Sequence, residues 1–587
     1  MAWPYGFPSL TDEEKLLRRQ TLDLYACIAH YSALAPALVF LAYRLLKRVA
    51  SQVQSASGSS SEGQGPRYSA VPNSPTIKAQ LQSPAGRFAS QCRKAAWWLG
   101  HDVCFAGSRW GQRDEWLVGA VWTAWLLVLS VRGTGNDYFH LTKRFGAVAV
   151  SQLPIQYLLA LKALNPVASI FASSHEHINR YHRLLGRIIY GLVCLHLLLY
   201  SSYFVSQGIW LRRMLDLVVS CGLVASFAYH GLAATALRKA REYSYRLFFI
   251  THLAVALLTP VLLFFHASSA RLYIAEALAI FALDLAARRI TTISAPSTVE
   301  LIPGTTLVKV TSSIPAHKLA RFRVAPGSHI YLSVPPQART AAVPSSKSAI
   351  FDYLCNPFSV AAVDAQDGTI CLVARVRNGP MTNLLSAFSS ATSAPQPPSD
   401  ARNITLGIEG PYGTMATRYN DLVNWGATKV LLVSGGVGAT FTLPIYQALQ
   451  SELPSAKTQF VWAIRSAGDA TWAVSNETTG QGLLQDPNVQ IYLTGDMGLG
   501  EDGPAAPAGS VEMSSLHRTN GQLTANHNKK RPNIEKIVDD TFRGSSDESV
   551  AVLVCGPVEM ARELQQRVGP WVMKGRRVWW HNETFGW

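Results

Sequence analysis

Long uninterrupted apolar runs fill the first half of the chain and stop near residue 290, after which apolar residues come in shorter stretches. Seven of the long runs approach the roughly 20 residues that a bilayer core demands of a helix. They lie at about 22–46, 115–132, 144–164, 182–206, 213–237, 245–267 and 270–287, and the pattern predicts seven spans. Between the first two, residues 49–90 contain SASGSSSEGQG and SPTIKAQLQSPAGR. A stretch so poor in aromatics and rich in Ser, Gly, Gln and Pro buries little apolar surface, so a disordered loop is expected.

Beyond Arg289 the runs shorten and alternate, as in TVELI, TLVKV and HIYLSV, with Pro and Gly between them. This pattern predicts a small antiparallel barrel through about residue 415. From about 425, KVLLVSGG is an apolar strand entering a glycine turn, and FTLPIYQALQSEL reads as the helix after it. QFVWAIRS, VQIYLTG and VAVLVCGP then read as buried parallel strands of a doubly wound sheet. Residues 497–530, with AAPAGS and TNGQLTANHNKK, are expected to be a disordered insertion. The fold class is therefore a multi-domain membrane protein: an all-α transmembrane helical bundle, an antiparallel β-barrel and an α/β doubly wound nucleotide-binding domain. The expected boundaries are 1–114 (an extra N-terminal helix and cytosolic loop), 115–289, 290–420 and 421–587.

Charge sharpens the membrane reading. Only 15% of residues are charged, yet the net charge is +16. The basic residues sit beside apolar runs, as in Lys47-Arg48, Arg238-Lys239 and Arg288-Arg289. That distribution points to a positive-inside bias rather than to nucleic acid. The loops after the first, third and fifth spans and the tail after the seventh are the expected cytosolic side, with the N-terminus outside. Lys143-Arg144 and Arg212-Arg213 run against this orientation. The eight cysteines show no CxxC or paired spacing, so neither a disulfide framework nor a zinc site is indicated. MAWPYGFPSLTDEEKLLRRQ lacks the features of a signal peptide, and targeting is expected to rest on the first span.

The chemistry is concentrated in four histidines. HRLLGRIIYGLVCLH separates His182 from His196 by fourteen residues, and HLAVALLTPVLLFFH separates His252 from His266 by the same interval. Fourteen residues is nearly four helical turns, about 21 Å, so each pair shares one helix face. The two helices are two spans apart and run in the same direction, which matches His182 in depth with His252 and His196 with His266. Two imidazole pairs, one per leaflet, are what two six-coordinate haems require. A lone membrane histidine is more often a hydrogen-bonding member of the bundle, and His30 and His230 are read so. Gly186 could admit a macrocycle, while Arg183 and Arg187 are either propionate partners or flanking charges.

In the soluble half, LLVSGGVGATFTLPI sets Gly435, Gly436 and Gly438 between strand and helix, where backbone N–H groups can meet a phosphate. Arg465 ends the next strand, where a cation could hold a ribose 2′-phosphate, favouring NADPH over NADH. Cys555, Gly556 and Pro557 follow a strand near the expected nicotinamide.

The histidine spans, together with LNPVASIFASSHEHINRYH, resemble the fungal ferric reductase family, a relative of the NADPH oxidases, and the two fourteen-residue intervals match its metalloreductase branch. The resemblance implies that the pairs ligate an inner and an outer b-type haem, and that the soluble half is a ferredoxin-NADP reductase-like FAD and NADPH module. LCNPFSVA, with Asn356, Pro357, Phe358 and Ser359, resembles the family's HPFT-type isoalloxazine motif, departing by Asn in place of His. RVAPGSHIYLSV, with His329, resembles its PGQH strand. Arg375 and the turn ending at Thr382 stand where the family holds the pyrophosphate, and EGPYG, with Gly410 and Gly413, closes the flavin domain. Trp587 in VWWHNETFGW is by resemblance the aromatic that covers the flavin, with a plain strand as the alternative. Ser359, Cys555 and Trp587 are the candidate catalytic residues.

The expected function is electron transfer from cytosolic NADPH through FAD and two haems to extracytosolic ferric or cupric ions or chelates, reduced at the haem edge. A downstream metal permease or oxidase is a candidate partner, and no nucleic acid is expected. The plasma membrane is the expected location, with a vacuolar or other endomembrane as the alternative. A superoxide-generating NADPH oxidase is the rival enzyme. A non-catalytic haem-binding sensor or transporter is the other rival, against which the full set of FAD and NADPH motifs argues. The external loops near 200–207 and 267–271 lack a cluster of Cys, Met, His or carboxylates, so little discrimination among metal chelates is expected.

Overall fold

Polar side chains set where the apolar helices begin. The structure, a computed structural model, describes residues 5–57, 79, 82–106, 108–339, 351, 354–377, 379–392, 404–474, 480–495, 531–544 and 548–583. It divides into two compact units, one formed by 1–64 with 99–290 and the other by 65–98 with 291–587.

In the first unit, α1 (Asp12–Ser32) opens with a capping box between Thr11 and Glu14, and α2 (Ala35–Ser57) follows directly. Next come α3 (Arg113–Val131), α4 (Tyr138–Ser151) and α5 (Leu153–Leu158). After these lie α6 (His175–Ser206), α7 (Leu217–Ala236), α8 (Tyr245–His266) and α9 (Arg271–Thr291). Asp137, Ser174 and Ser244 cap α4, α6 and α8 through their side-chain oxygens. Among the described residues, five stretches are long and apolar enough to cross a membrane: Asp12–Ala50, Arg113–Val131, His175–Ser206, Leu217–Ala236 and Tyr245–His266.

Two of the seven expected spans are not among these five. The run 144–164 is broken, because α4 ends at Ser151 and Pro154 lies in the first turn of α5. A residue without an N–H cannot continue the preceding helix ladder. The run 270–287 is helical within α9, but Glu276 and Asp284 interrupt its apolar character. Asp284 is buried and accepts from the backbone N–H groups of Ala163 and Leu164 at 2.9 and 2.8 Å, so its charge closes the turn after α5. In α8, Pro260 leaves the carbonyl of Ala256 without its helical partner, and the Tyr157 hydroxyl donates to it instead.

The expected disordered loop 49–90 is also corrected at both ends. α2 runs on to Ser57, and a helix spans Pro84–Leu99 with Ser83 Oγ accepting from Gly86 N at 3.1 Å. This helix gains order by packing Trp97 edge-on against Trp580, with ring centroids 5.4 Å apart, beside Val568 and Val572. Its polar surroundings hide that apolar face from composition alone.

The second unit begins with a closed barrel: β1 (Ile293–Leu301), β2 (Leu307–Ser313), β3 (His329–Ser333), β4 (Asn356–Asp364), β5 (Thr369–Arg375) and β6 (Ile404–Tyr412). They join in the order β1-β2-β5-β4-β3-β6, with every pairing antiparallel. Along β1, Ile293, Ala295, Ser297 and Val299 are buried while the residues between them are more exposed, the period-two pattern of a strand with one core face. α10 (Pro380–Thr392) packs on the barrel.

A five-stranded parallel sheet follows: β7 (Lys429–Gly435), β8 (Lys457–Ile464), β9 (Val489–Leu493), β10 (Ser549–Cys555) and β11 (Arg577–Glu583), in the order β9-β8-β7-β10-β11. Every residue of β10 is buried, as expected of a strand covered on both faces. The order reverses between β7 and β10, the switch point at whose carboxyl ends such sheets bind ligands. α11 (Ala439–Glu452) leaves the glycine turn after β7. Residues 496–530, which hold all of the expected insertion, lie outside the described residues.

Candidate redox sites

Two histidines on α6, His182 and His196, each face one on α8. His182 and His252 have ring centroids 5.9 Å apart, and His196 and His266 stand 6.2 Å apart. An imidazole–metal bond of about 2 Å on each side, plus the ring radii, puts two axial imidazole centroids roughly 6 Å apart. The ring hydrogen bonds then decide which nitrogen is free. Nδ1 of His182 lies 2.9 Å from Gln156 O, Nδ1 of His196 lies 2.8 Å from Thr142 O, and Nδ1 of His266 lies 2.7 Å from Val218 O. A carbonyl only accepts, so each of these Nδ1 atoms carries the proton and each Nε2 keeps its lone pair. His252 Nδ1 is buried with no partner among the described residues.

Glycines let helices come close to the outer pair. A Cβ on Gly146 would lie 2.9 Å from the His196 ring, and one on Gly222 would overlap His266. Gly186 faces Gln156, whose side-chain amide would lie 2.9 Å from a Cβ there. It thus leaves room for the side chain of the residue that orients His182. His30 and His230 bond the backbone carbonyls of Ser151 and Ser226 at 3.0 and 2.7 Å. Sequence reasoning missed Gln156, Thr142, Val218, Gly146 and Gly222. The two glycines inside apolar helices were the only available signal.

On the barrel, Phe358 packs partly into the core opposite Ile330, while Ser359 stands opposite His329. His329 is only 1% exposed, with its ring beside Tyr331 and Tyr412 and close to Gly413. It therefore braces this strand from within. The neighbouring Ser328 hydroxyl is buried without a partner among the described residues, an orphan that a bound polar ring edge would satisfy. Gly410 and Gly413 both have positive φ, +140° and +111°. At the start of α10, Thr382 Oγ1 donates to Arg377 O at 2.8 Å and accepts from Arg377 N at 3.2 Å. That closed turn leaves a helix N-terminus suited to a phosphate.

Arg375 is engaged elsewhere. Its Nη2 lies 2.8 Å from the carboxylate of Asp469, after β8. Arg375, Arg465, Ser466 and Asp469 line a cavity of about 400 Å³ with Gly304, Thr305 and Thr306. The glycine turn and the CGP turn meet backbone to backbone. A Cβ on Gly435 would lie 2.5 Å from Pro557, one on Gly438 would overlap the Cys555 carbonyl, and one on Gly556 would lie 2.8 Å from Gly435 N. Gly436 has φ +56°, the left-handed region. Burial pushes the Cys555 thiol well above its ordinary range, so it is a neutral packing group at physiological pH. The segment VWWHNE forms β11, where His581 donates to Glu583 at 2.9 Å, and Trp587 lies outside the described residues.

Comparison with known proteins divides the chain in the same way. Residues 145–263 match the ferric reductase like transmembrane component, 294–416 an FAD-binding domain and 427–568 the ferric reductase NAD binding domain. The probable metalloreductase AIM14 of Meyerozyma guilliermondii is 22% identical over 456 residues, covering 75% of this chain and 84% of that protein. The ferric/cupric reductase transmembrane component 2 of Schizosaccharomyces pombe is 21% identical over 485 residues, covering 75% and 80%. Among solved structures, a flavohemoglobin from Malassezia yamatoensis is 12% identical, covers 75% of this chain and 96% of that chain, and has a TM-score of 0.34. That likeness is too slight to bear on function.

A membrane-spanning helical unit continued in one chain by an FAD-binding barrel and an NAD-binding sheet defines a multi-pass membrane oxidoreductase. All three matches follow one another along the chain, which is thus similar to ferric reductases in its transmembrane, FAD-binding and NAD-binding parts.

Proposed function

We propose that the chain is a transmembrane metalloreductase that moves electrons from cytosolic NADPH through FAD and two bis-histidine haems to extracytosolic ferric or cupric ions or chelates. Bound FAD would supply the exchange between a two-electron hydride donor and one-electron acceptors, and bound haems would supply one-electron carriage through the apolar layer. The observation that carries the reading is the two facing histidine pairs, at 5.9 and 6.2 Å, with three Nδ1 protons held by carbonyls. The names of the fungal relatives support metal ions as the acceptor.

His182 and His252 would hold the inner haem, and His196 and His266 the outer. Phe358, Ser359 and Ser328 would seat the flavin ring, and the α10 N-terminus with Thr382 its pyrophosphate. The packed glycine turns at 435–438 and 555–557 would present backbone N–H groups to the nicotinamide dinucleotide. Arg465, which has no side-chain partner among the described residues, would take its 2′-phosphate. Trp587 is proposed to shield the flavin, and Cys555 to shape the nicotinamide floor as a neutral thiol. The four-part division at 114, 289 and 420 and the outside N-terminus belong to this reading.

The direct test is the purified full chain. It should contain two haems with bis-histidine low-spin spectra and one FAD, and His196→Ala or His266→Ala should remove one haem while NADPH still reduces the flavin. Two bis-histidine haems persisting in both variants would overturn the ligand assignment.

A further inference from the structure

We propose that the N-terminal helix α1 positions the outer histidine pair: it grips α4 at both ends, and Arg18, through Asp137, is the positioning residue. The proposal rests on reading His196 and His266 as haem ligands and concerns what keeps His196 in place.

The contact of His196 with α4 is register-sensitive. Its Nδ1 donates to Thr142 O at 2.8 Å, and one turn further on Gly146 leaves room for its ring, since a Cβ there would lie 2.9 Å away. Tyr138, one turn before Thr142, accepts on its carbonyl from Thr142 Oγ1 at 2.8 Å. Its own hydroxyl donates to Leu199 O at 2.8 Å, three residues beyond His196 on α6. A shift of α4 by one residue would offer His196 the wrong carbonyl and replace Gly146 with a bulkier neighbour.

That register is held from α1. At the start of α4, Arg18 Nη1 lies 2.8 Å from Asp137 Oδ2, with the two side chains 18% and 11% exposed. The other Asp137 oxygen caps His140 N at 3.1 Å, so one carboxylate ties helix start to α1. Just before α1, Gly6 exchanges two backbone bonds with the same corner: Gly6 N donates to Asn136 O at 2.8 Å, and Tyr138 N donates to Gly6 O at 3.0 Å. In the middle, Arg144 is fully buried, lies 4.1 Å over the Tyr25 ring and donates to Leu129 O at 3.2 Å and His140 Nε2 at 2.7 Å. At the far end, His30 Nδ1 donates to Ser151 O at 3.0 Å and Gln152 Nε2 donates to Ala29 O at 3.0 Å. A buried charge pair with these neighbours is costly to break on one side alone. The match to the transmembrane component begins at residue 145, so α1 and the Asp137–Thr142 corner lie before the matched segment.

The inner pair provides the internal control, because His182 is held by Gln156 O at the opposite end of this region. The experiment compares the purified full chain with Arg18→Ala, Arg18→Lys and Asp137→Asn, the last retaining an N-cap while removing the charge. Each is examined for haem-to-protein ratio, for the low-spin resonance spectrum and midpoint potential of each haem, and for hydrogen exchange of the 138–151 amides. Arg18→Ala and Asp137→Asn should hold the outer haem about tenfold more weakly, the scale set by outer-shell partners of metal ligands. They should also shift its spectrum and potential, speed exchange in 138–151, and leave the inner haem unchanged, while Arg18→Lys should stay close to the parent. Wild-type outer-haem signatures in both charge-removing variants, or equal loss of both haems, would overturn the positioning role alone. A parent chain lacking two bis-histidine haems would overturn the functional reading and this proposal with it.

Discussion

Adding one methyl group at Gly222 tests how closely α7 must approach His266. A Cβ at that position would overlap Cε1, lie 2.5 Å from Nδ1 and 3.1 Å from Nε2 of His266. The same Nδ1 donates to Val218 O, one turn earlier on α7. In an ordinary helix interior, Ala is favoured over Gly by about 1 kcal/mol. Gly231 on the same helix has open space and serves as the matched control. At Gly222 that gain is opposed by overpacking of roughly 1–3 kcal/mol and by a disturbed hydrogen bond of about 1 kcal/mol. The net cost of about 1–3 kcal/mol falls on the seat of His266, equivalent to roughly five- to 150-fold weaker retention of the outer haem. Haem-to-protein ratio, redox difference spectra and thermal melts of both variants are the assay. Gly231→Ala should keep two haems and melt slightly higher, while Gly222→Ala should keep the inner haem and lose or perturb the outer. A Gly222→Ala chain with two unperturbed haems would refute the close approach and the assignment built on it.

Tyr157→Phe should destabilise the helical unit by about 1–3 kcal/mol, because the Ala256 carbonyl freed by Pro260 loses its donor. In the Pro260→Ala background, where the helical N–H returns, the same change should cost far less, and a double-mutant cycle of melting temperatures in detergent decides. Removing Arg465 should raise KM for NADPH about ten- to a hundredfold more than KM for NADH, as loss of a charged phosphate contact of roughly 1.5–3 kcal/mol requires; equal effects on both nucleotides would exclude 2′-phosphate reading. In thiol labelling at pH 8, the exposed Cys92 and Cys104 should react readily and Cys555 should not, since burial both shields it and keeps it protonated. Rapid labelling of Cys555 in the folded chain, read by peptide mass mapping, would contradict its assignment as a packing group.

The histidine pairs were legible because a fourteen-residue interval in two long apolar runs is a local, periodic signal, and helical geometry turns it directly into facing side chains. Their supports were not, because every residue carries a carbonyl and nothing local marks Gln156, Thr142 or Val218 as the ones that meet a histidine. Gly146 and Gly222 matter only through neighbours brought close by packing. Strand alternation announced the barrel and the glycine turn announced the sheet, but the barrel order is set by pairings distant in sequence. The Arg375–Asp469 ion pair was not legible, because its partners lie 94 residues apart in sequence. The helix Pro84–Leu99 was lost in a polar stretch because one partly buried tryptophan anchors it. Pro154 could have divided the 144–164 run, but overall hydrophobicity outweighed it in the reading.

The central claim is that electrons cross the membrane from a nucleotide on one face to a metal chelate on the other. It is tested most directly in sealed vesicles of known orientation, with NADPH supplied only to the face bearing the FAD- and NAD-binding domains. Several ferric chelates, a cupric salt and oxygen alone are offered to the opposite face, and initial rates are read with and without superoxide dismutase. The account predicts trans-membrane reduction of several chelates at comparable rates, insensitivity to the dismutase, and slow reaction with oxygen. Superoxide formed as fast as the best metal is reduced would contradict it in favour of an oxidase, and NADPH oxidation with no reduction across the membrane would contradict the transmembrane route itself.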